Sequence, residues 1–485
     1  MKMKLFIGAD LGTSCLKMSL LDEEGKILAE VSKSYPLYIH GEESEQDPTD
    51  WWKAFETGIE EMLKDFDRKD VKGISFSGQM HGLVILDKEG NVIRRCILWN
   101  DSRTKEETDY LNDVVTRKVL NEETSNIAYC GFTAPKILWL RKHETENFER
   151  IDKIMLPKDY LVYKLTGRFV SDYSDMSGSL LLNCRKKEYS DKMLEICHIE
   201  RRQLPELLES YDFVSYPKES FQKEHGLYNM KVIMGGGDNA MASIGMGCLK
   251  EGELNISLGT SGTIFLPLDK PFEMDENELH MFASVTGKWH LMGCILSAAS
   301  CRKWWLEKVL NDSDYPKDEE EMSRADTDGL YFMPYLSGER SPLNDSSIRG
   351  AFLGLSHETT KGAMSKAVLE GVSFALRDCL EIAKRQKKTF QKATLCGGGS
   401  RSRLWCQMLS DIFNLDIYVS NGSPSFGAGI MAMCSEESHD LARLAERFVT
   451  YDKVYHPDKE MVSLYEKKYQ KFHSLYPMLK DFYQD

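Results

Sequence analysis

Apolar residues near the N-terminus come in short dense blocks rather than in helical stripes. Residues 4–9, 15–21 and 26–32 each read as a β-strand, with Asp22-Glu23-Glu24-Gly25 as the turn between the last two. The period then changes. Asp47 suits a helix N-cap and Pro48 a first helical residue, and Trp51, Phe55, Ile59, Met62 and Phe66 recur at helical spacing. Residues 71–77 and 83–87 return to the strand pattern, with 88–91 as a turn. Three strands, a helix and another strand predict a mixed α/β domain.

The second half opens in the same way. Residues 253–256 and 263–268 read as a strand pair, followed by helices near 298–310 and 361–385. A short strand at 394–396 runs into Gly397-Gly398-Gly399. A helix follows with Leu404, Trp405, Met408, Leu409, Ile412 and Phe413 on one face. An internal repeat ties the halves together. Asp10-Leu11-Gly12-Thr13-Ser14 and Ser257-Leu258-Gly259-Thr260-Ser261 lie about half the chain apart, each between two apolar blocks. The expected boundary falls near 245–250, dividing the chain into residues 1–247 and 248–485. Residues 436–485 are charged and helical by composition, and the pattern does not say where they dock.

Composition narrows the function. A length of 485 residues leaves room for about three domains of ordinary size or two large ones. The net charge of −14 disfavours a nucleic-acid or acidic-membrane partner. The twelve cysteines show neither Cys-x-x-Cys spacing nor companion histidine pairs, which reads as reduced core thiols in a reducing compartment. The apolar stretch before Asp10 is too short for a signal peptide, and the uncharged run 417–435 is too rich in Ser and Gly for a membrane helix. A soluble cytoplasmic protein is the expectation.

Four strings carry candidate chemistry, each with a plainer structural reading beside it. The two Gly-Thr-Ser turns can form anion-binding nests, with Asp10 placed to share Mg²⁺ with bound phosphates, or they are simply hairpin turns. Gly235-Gly236-Gly237-Asp238-Asn239-Ala240 puts bare backbone around a single acid, as a general base against a substrate hydroxyl requires. Alternatively, Asp238 caps a helix. Its letters also fit a dinucleotide fingerprint, but an acid inside that loop would repel a pyrophosphate. Gly78-Gln79-Met80-His81-Gly82 offers donors, acceptors and apolar contact for a polyhydroxylated ligand, or is a core histidine beside a bulge. Gly397-Gly398-Gly399-Ser400-Arg401-Ser402 sits where phosphates and ribose often bind, or is a tight strand-to-helix turn. The Ser-x-x-Lys strings at Ser14 and Ser102 lack the companion motifs of penicillin-binding enzymes, and no Walker A string occurs.

Taken together, these strings resemble the FGGY carbohydrate kinases over nearly the whole chain. The resemblance extends through Glu45-Gln46-Asp47-Pro48, Leu98-Trp99-Asn100-Asp101, Gly131-Phe132-Thr133-Ala134-Pro135-Lys136, Leu156-Pro157-Lys158-Asp159-Tyr160 and Tyr335-Leu336-Ser337-Gly338-Glu339-Arg340. It implies two ribonuclease H-like domains of the actin/hexokinase superfamily with a catalytic cleft between them. Residues 1–247 would bind sugar and carry the base, and 248–485 would bind nucleotide. It implies ATP-dependent phosphorylation with Mg²⁺. The Gln-Met-His string is shared by fewer members and points to D-xylulose, phosphorylated at its 5-hydroxyl in xylose breakdown. By the same resemblance Asp238 is the catalytic base, and Met80, His81 and Asn239 contact the sugar. Asp10 serves activity through the metal. Gly12, Thr13, Gly259 and Thr260 flank the triphosphate, and Gly398 and Gly399 lie against the nucleotide. Gln79 is a candidate for ordering the sugar pocket. Many relatives are dimers, so a homodimer is compatible. One departure is Gly422-Ser423-Pro424-Ser425-Phe426-Gly427-Ala428-Gly429, which replaces a segment often written with an acid and Ala-Leu-Gly-Ala. The rival readings are a kinase for another ketose, a polyol or a sugar acid, or a sensor without catalysis.

Overall fold

The computed structural model describes residues 3–274, 276–386, 388–436 and 440–483. Two twisted sheets organise it. The first contains β1 (Leu5–Leu11), β2 (Cys15–Asp22), β3 (Ile27–Ser34), β4 (Val71–Gly78), β5 (Phe213–Ser215) and β6 (Lys231–Gly237), in the order β5-β6-β4-β1-β2-β3. The second contains β7 (Glu253–Leu258), β8 (Gly262–Leu268), β9 (His280–Ala283), β10 (Trp289–Ile295), β11 (Lys392–Cys396), β12 (Asp416–Val419) and β13 (Lys453–Tyr455), in the order β9-β10-β8-β7-β11-β12-β13.

The duplication read from two pentapeptides extends to the topology. In each sheet the opening strand pairs antiparallel with the next strand on one side and parallel with a later strand on the other. Both Gly-Thr-Ser turns therefore occupy the same place, between the opening strand and its hairpin partner. All seven residues of β1 are buried, as expected of a strand covered on both faces, whereas the edge strand β3 is largely open to solvent.

Helix α1 (Pro48–Met62) starts as its sequence indicates, with the Asp47 carboxylate accepting Thr49 N–H at 2.9 Å. Trp51, Phe55, Ile59 and Met62 are buried, while Phe66 lies beyond the helix in the turn that follows. The strand expected at 83–87 is only Val84–Leu86 and pairs with Lys153–Met155 outside the main sheet. The long connection between β4 and β6 carries α2 (Thr133–His143) and α3 (Pro157–Thr166), which the strand and helix pattern alone had not resolved. The helix expected at 298–310 is α-helical over Ala299–Lys303 and widens to a π-helix over Trp304–Val309.

The two halves interlock. Helix α4 (Asp238–Met246) follows β6, and α7 (Pro424–Ala432), which follows β12, packs across α4 and beneath the first sheet. The backbones approach so closely that a Cβ on Gly8 of β1 would overlap Ser425 O and Gly429 N, and one on Gly427 would overlap Met241 O. Small residues at Gly427, Ala428 and Gly429 let this helix seat against another backbone. Between them in sequence lie α5 (Lys361–Lys384) and α6 (Arg403–Phe413).

The charged C-terminal segment has a definite place. Helix α8 (Leu441–Phe448) buries Leu441, Leu444 and Phe448 in the α4–α7 cluster. Helix α9 (Lys459–Leu479) lays Tyr465, Tyr469 and Phe472 against Phe374 of α5, and Lys468 pairs with Glu370 at 2.6 Å. Among the described residues, no helix is long and apolar enough to cross a membrane.

Candidate active site

Asp10 lies near the C-terminal end of β1, and strand register decides its neighbours. Parallel pairing places Ser77 beside it on β4, and antiparallel pairing places Lys17 opposite on β2. Ser77 Oγ donates to Asp10 Oδ1 at 2.7 Å. Burial raises the carboxyl above its ordinary range, against the opposing pull of Ser77 and Lys17. The turn that follows is tied down from three directions. Tyr35 Oη donates to Gly12 O, Gln46 Nε2 donates to Thr13 O at 2.6 Å, and Thr13 Oγ1 donates to Gln79 Oε1 at 3.1 Å. Gln79 also donates from Nε2 to Gln46 Oε1 at 2.9 Å, so it joins the turn to the Gln-Met-His string.

Asp238 is the first residue of α4, with Gly237 as its N-cap. Its Oδ1 accepts N–H from Asn239 at 2.7 Å and Asn239 Nδ2 at 2.9 Å. The glycines before it are needed for space. Gly235, at φ +76°, runs against Phe76 O, and a Cβ on Gly237 would press on Met80 at 3.0 Å. The carboxylate stays half-buried at the surface, yet enough protein surrounds it to raise its pKa to about 7. Burial is the larger cause, the charge of Asp10 the second, and the two bonds from Asn239 oppose both. Asn239, expected on the sugar, here holds the carboxylate of Asp238.

Gly237 N–H donates to Ser174 Oγ at 3.1 Å, and Ser174 Oγ donates to Asp172 Oδ2 at 2.5 Å. Behind them Lys158 lies fully buried, its Nζ 2.6 Å from Asp159, 2.9 Å from Asp172 and 3.5 Å from Asp175. Three carboxyl groups share one ammonium. Burial raises both Asp159 and Asp175, and Asp238 is among the charges acting on Asp175. The Leu-Pro-Lys-Asp-Tyr string thus supplies the frame behind the base, a role that its spacing alone did not reveal.

Met80 is buried against Gly237, and His81 follows at φ +70°, in the left-handed region. His81 Nδ1 lies 2.8 Å from Gly178 O, and its ring stacks on Phe132 at 4.5 Å. Burial lowers the ring to about 3, so the imidazole is neutral. The bond to Gly178 places the proton on Nδ1 and leaves Nε2 as an acceptor. Lys136 Nζ and Thr133 Oγ1 both donate to His81 O, at 2.8 and 3.1 Å. These two residues of the Gly131–Lys136 string hold the left-handed turn in place.

On the second half, a cavity of about 1370 Å³ is lined by Gly259, Thr260, Gly398 and Gly399. Ser300, Arg302, Tyr315, Glu319 and Arg403 also face it, none of which stands out in sequence. Gly397, at φ +88°, turns the chain there, and a Cβ on Gly398 would meet nothing within 4 Å. Gly12 and Thr13 do not line this cavity and belong to the Asp10 side. Among the described residues, no cluster of three or more His, Cys, Asp or Glu forms a ready-made metal cage. The donor set still fits Mg²⁺, which binds through one or two carboxylates together with substrate phosphates.

The chain matches the FGGY family of carbohydrate kinases, N-terminal domain, over residues 5–245, and its C-terminal domain over residues 254–436. It is 36% identical to a xylulose kinase of Escherichia coli over 98% of this chain and 99% of that protein. A xyloylose kinase from Brucella ovis superposes with a TM-score of 0.94 at 35% identity, covering 99% of this chain and all of that one. A gluconate kinase from Lactobacillus acidophilus also reaches 0.94, at 27% identity over 99% of both chains, so backbone similarity does not separate these sugars. Two interlocked α/β halves, each opening on a Gly-Thr-Ser hairpin, and these full-length matches lead to one conclusion: the chain belongs to the FGGY family of carbohydrate kinases.

Proposed function

We propose that this chain transfers the γ-phosphoryl group of ATP to the 5-hydroxyl of D-xylulose, giving D-xylulose 5-phosphate and ADP, with Asp238 as the general base. The observation that carries the reading is the placement of Asp238. It is a carboxylate poised near neutrality, with Asp10 as a charged neighbour and Met80 against the glycine that precedes it. The sugar lies along Met80 and His81 with O5 at Asp238. As O5 attacks the γ-phosphorus, its proton passes to the carboxylate. The transition state is loose, so the chain mainly aligns the reactants and stabilises charge. Such alignment is worth roughly 7–11 kcal/mol of a barrier. Backbone N–H groups of Thr13 and of the Gly259-Thr260 turn supply fixed dipoles for the phosphates, while Gly12 N–H closes its own turn on Cys15 O at 3.1 Å. Mg²⁺, held by Asp10 and the phosphates, would neutralise charge on the transferring group.

In this reading, residues up to 247 bind sugar and those after it bind nucleotide, across the interlocking α4–α7 contact. A reducing cytoplasm suits an ATP-dependent enzyme whose twelve cysteines form no disulfide. The similarity to a gluconate kinase keeps a sugar acid as the second reading. ADP release from Mg-ATP, measured with ketoses, polyols and sugar acids, tests both. The proposal requires D-xylulose to give the highest kcat/KM, with phosphate at O5. A higher value for D-gluconate would replace the substrate assignment.

A further inference from the structure

Three polar groups without a hydrogen-bonding partner gather around the rings of Phe132 and Tyr129, beyond His81. The first is His81 Nε2. The second is Nε2 of His280, a residue only 2% exposed, whose Nε2 is buried without a hydrogen bond. The third is the guanidinium of Arg340, half-buried 5.0 Å over the ring of Tyr129. Among the described residues, no carboxylate or carbonyl accepts a bond from it. The adjacent carboxylate, Glu339, feels the charge of Arg340 but makes no ion pair with it; its Oε1 accepts backbone N–H of Leu296 at 2.9 Å and of Arg340 itself at 2.7 Å, and its Oε2 is buried without a hydrogen bond.

These groups are held rigidly. Strand β9 brings His280 to the first half, where Asn126 exchanges two hydrogen bonds with Met281 and Ser177 Oγ accepts Ala283 N–H. The His280 ring then lies 5.0 Å from Tyr129 and 5.6 Å from Phe132, the ring that also stacks on His81. The loop carrying Arg340 is pinned by Ser341 N–H to Cys294 O at 3.0 Å, and by Tyr129 Oη to Asn344 Oδ1 at 2.6 Å. Arg340 acts electrostatically on both His81 and His280, whereas the charge acting on Asp238 is that of Asp10. Contacts link the groups in turn: Met80 lies against the glycine before Asp238, His81 stacks on Phe132, and Phe132 and Tyr129 carry the contacts on to His280 and Arg340.

A buried imidazole nitrogen left without a hydrogen bond is costly, and a guanidinium withdrawn from part of its water without an acceptor loses hydrogen bonds as well. Polar side chains fixed in that state are arranged for a ligand. We propose that Arg340 and His280 recognise the ketone end of the sugar and determine acceptor specificity. Arg340 donates to the C2 carbonyl oxygen, and His280 hydrogen-bonds the C1 hydroxyl. A guanidinium only donates, so it pairs with the C2 carbonyl oxygen and offers no acceptor for the extra proton that a polyol's C2 hydroxyl would bring; that unmet proton discriminates a ketose from a polyol. This inference rests on D-xylulose being the acceptor.

The test is steady-state kinetics of wild type, Arg340→Met, Arg340→Lys and His280→Phe, with D-xylulose, xylitol and D-gluconate at varied ATP. The expected result for Arg340→Met is a D-xylulose KM raised at least ~10-fold and an ATP KM changed less than ~2-fold. The preference for D-xylulose over xylitol should shrink, and Arg340→Lys should fall between. An unchanged preference overturns the proposal, including the case where both sugars weaken equally, which is what loosened packing would produce. Preferential use of D-gluconate by wild type, lost in Arg340→Met, also overturns it by assigning the guanidinium to a carboxylate. Wild-type turnover of D-xylulose with insensitive variants sinks this inference alone. A wild type inert towards every sugar sinks the kinase reading on which it rests.

Discussion

The charge of Asp10 acts on Asp238 and, after burial, is the second reason its carboxyl titrates near 7 rather than at 3.8. A base must be unprotonated to accept the sugar proton. Sugar kcat/KM is therefore expected to fall about tenfold per pH unit below the Asp238 pKa and to level off above it. In Asp10→Asn the residual activity should show this limb at lower pH, because one raising cause is gone. A profile flat from about pH 5 to 9 would remove Asp238 from the role. The stability consequence has the opposite sense. The folded state binds this proton more tightly than the unfolded chain, so its contribution is present at low pH and is lost as pH rises through about 7.

Replacing the base isolates chemistry from binding. Asp238→Asn keeps the size of the side chain and should lower kcat by at least ~10²-fold. Calorimetry should find ATP affinity intact, since the nucleotide cavity is lined by Gly259, Gly398 and their neighbours rather than by Asp238. Near-normal turnover would show that another group takes the proton.

Gly178 tests the sugar side without touching a reacting atom. A Cβ there would overlap Nδ1 and Cε1 of His81, and the imidazole would lose its fixed position. Gly178→Ala is expected to raise the D-xylulose KM about 10-fold with the ATP KM unchanged. Unaltered sugar kinetics would place His81 outside the pocket.

Lys158 and Asp175 should behave as opposites in thermal melts. Lys158→Met leaves Asp159, Asp172 and Asp175 buried without their cation, at a cost of roughly 3–5 kcal/mol. Both oxygens of Asp175 are buried without a hydrogen bond, so Asp175→Asn should hold Tm or raise it. A matching fall in both variants would mean that Lys158 and Asp175 stabilise the fold as an ion pair, since Asn keeps the packing of Asp and removes only its charge.

Local signals accounted for much of the architecture. Asp47 and Pro48 start α1 because cap chemistry is written in adjacent residues. The paired Gly-Thr-Ser turns disclosed a duplication because each is a single turn within one hairpin. The Gly-rich strings around Asp238 and Gly398 marked places where backbone comes close to other groups. What escaped was long-range. Nothing near Lys158 in sequence says that it sits behind Gly237, and nothing near Arg340 or His280 says that they approach His81. Those neighbours are set by strand order and by the docking of the β4–β6 connection against β9.

The amino-acid sequence by itself determined the two-fold α/β plan, the turns and caps, and the residue types available for phosphoryl transfer, because these depend on neighbours a few positions apart. Tertiary structure alone decided which charges meet. It brought Asp10 within range of Asp238, turned Asn239 onto the base, gathered three carboxyls on Lys158 and left the Arg340 guanidinium and His280 Nε2 without a hydrogen-bond acceptor or donor among the described residues. It also placed the helix after the last parallel strand beneath the other half's sheet. The physical reason is range. Propensity and capping act over one or two turns of chain, whereas desolvation and charge–charge interactions depend on distance in space, which only the packed sheets define.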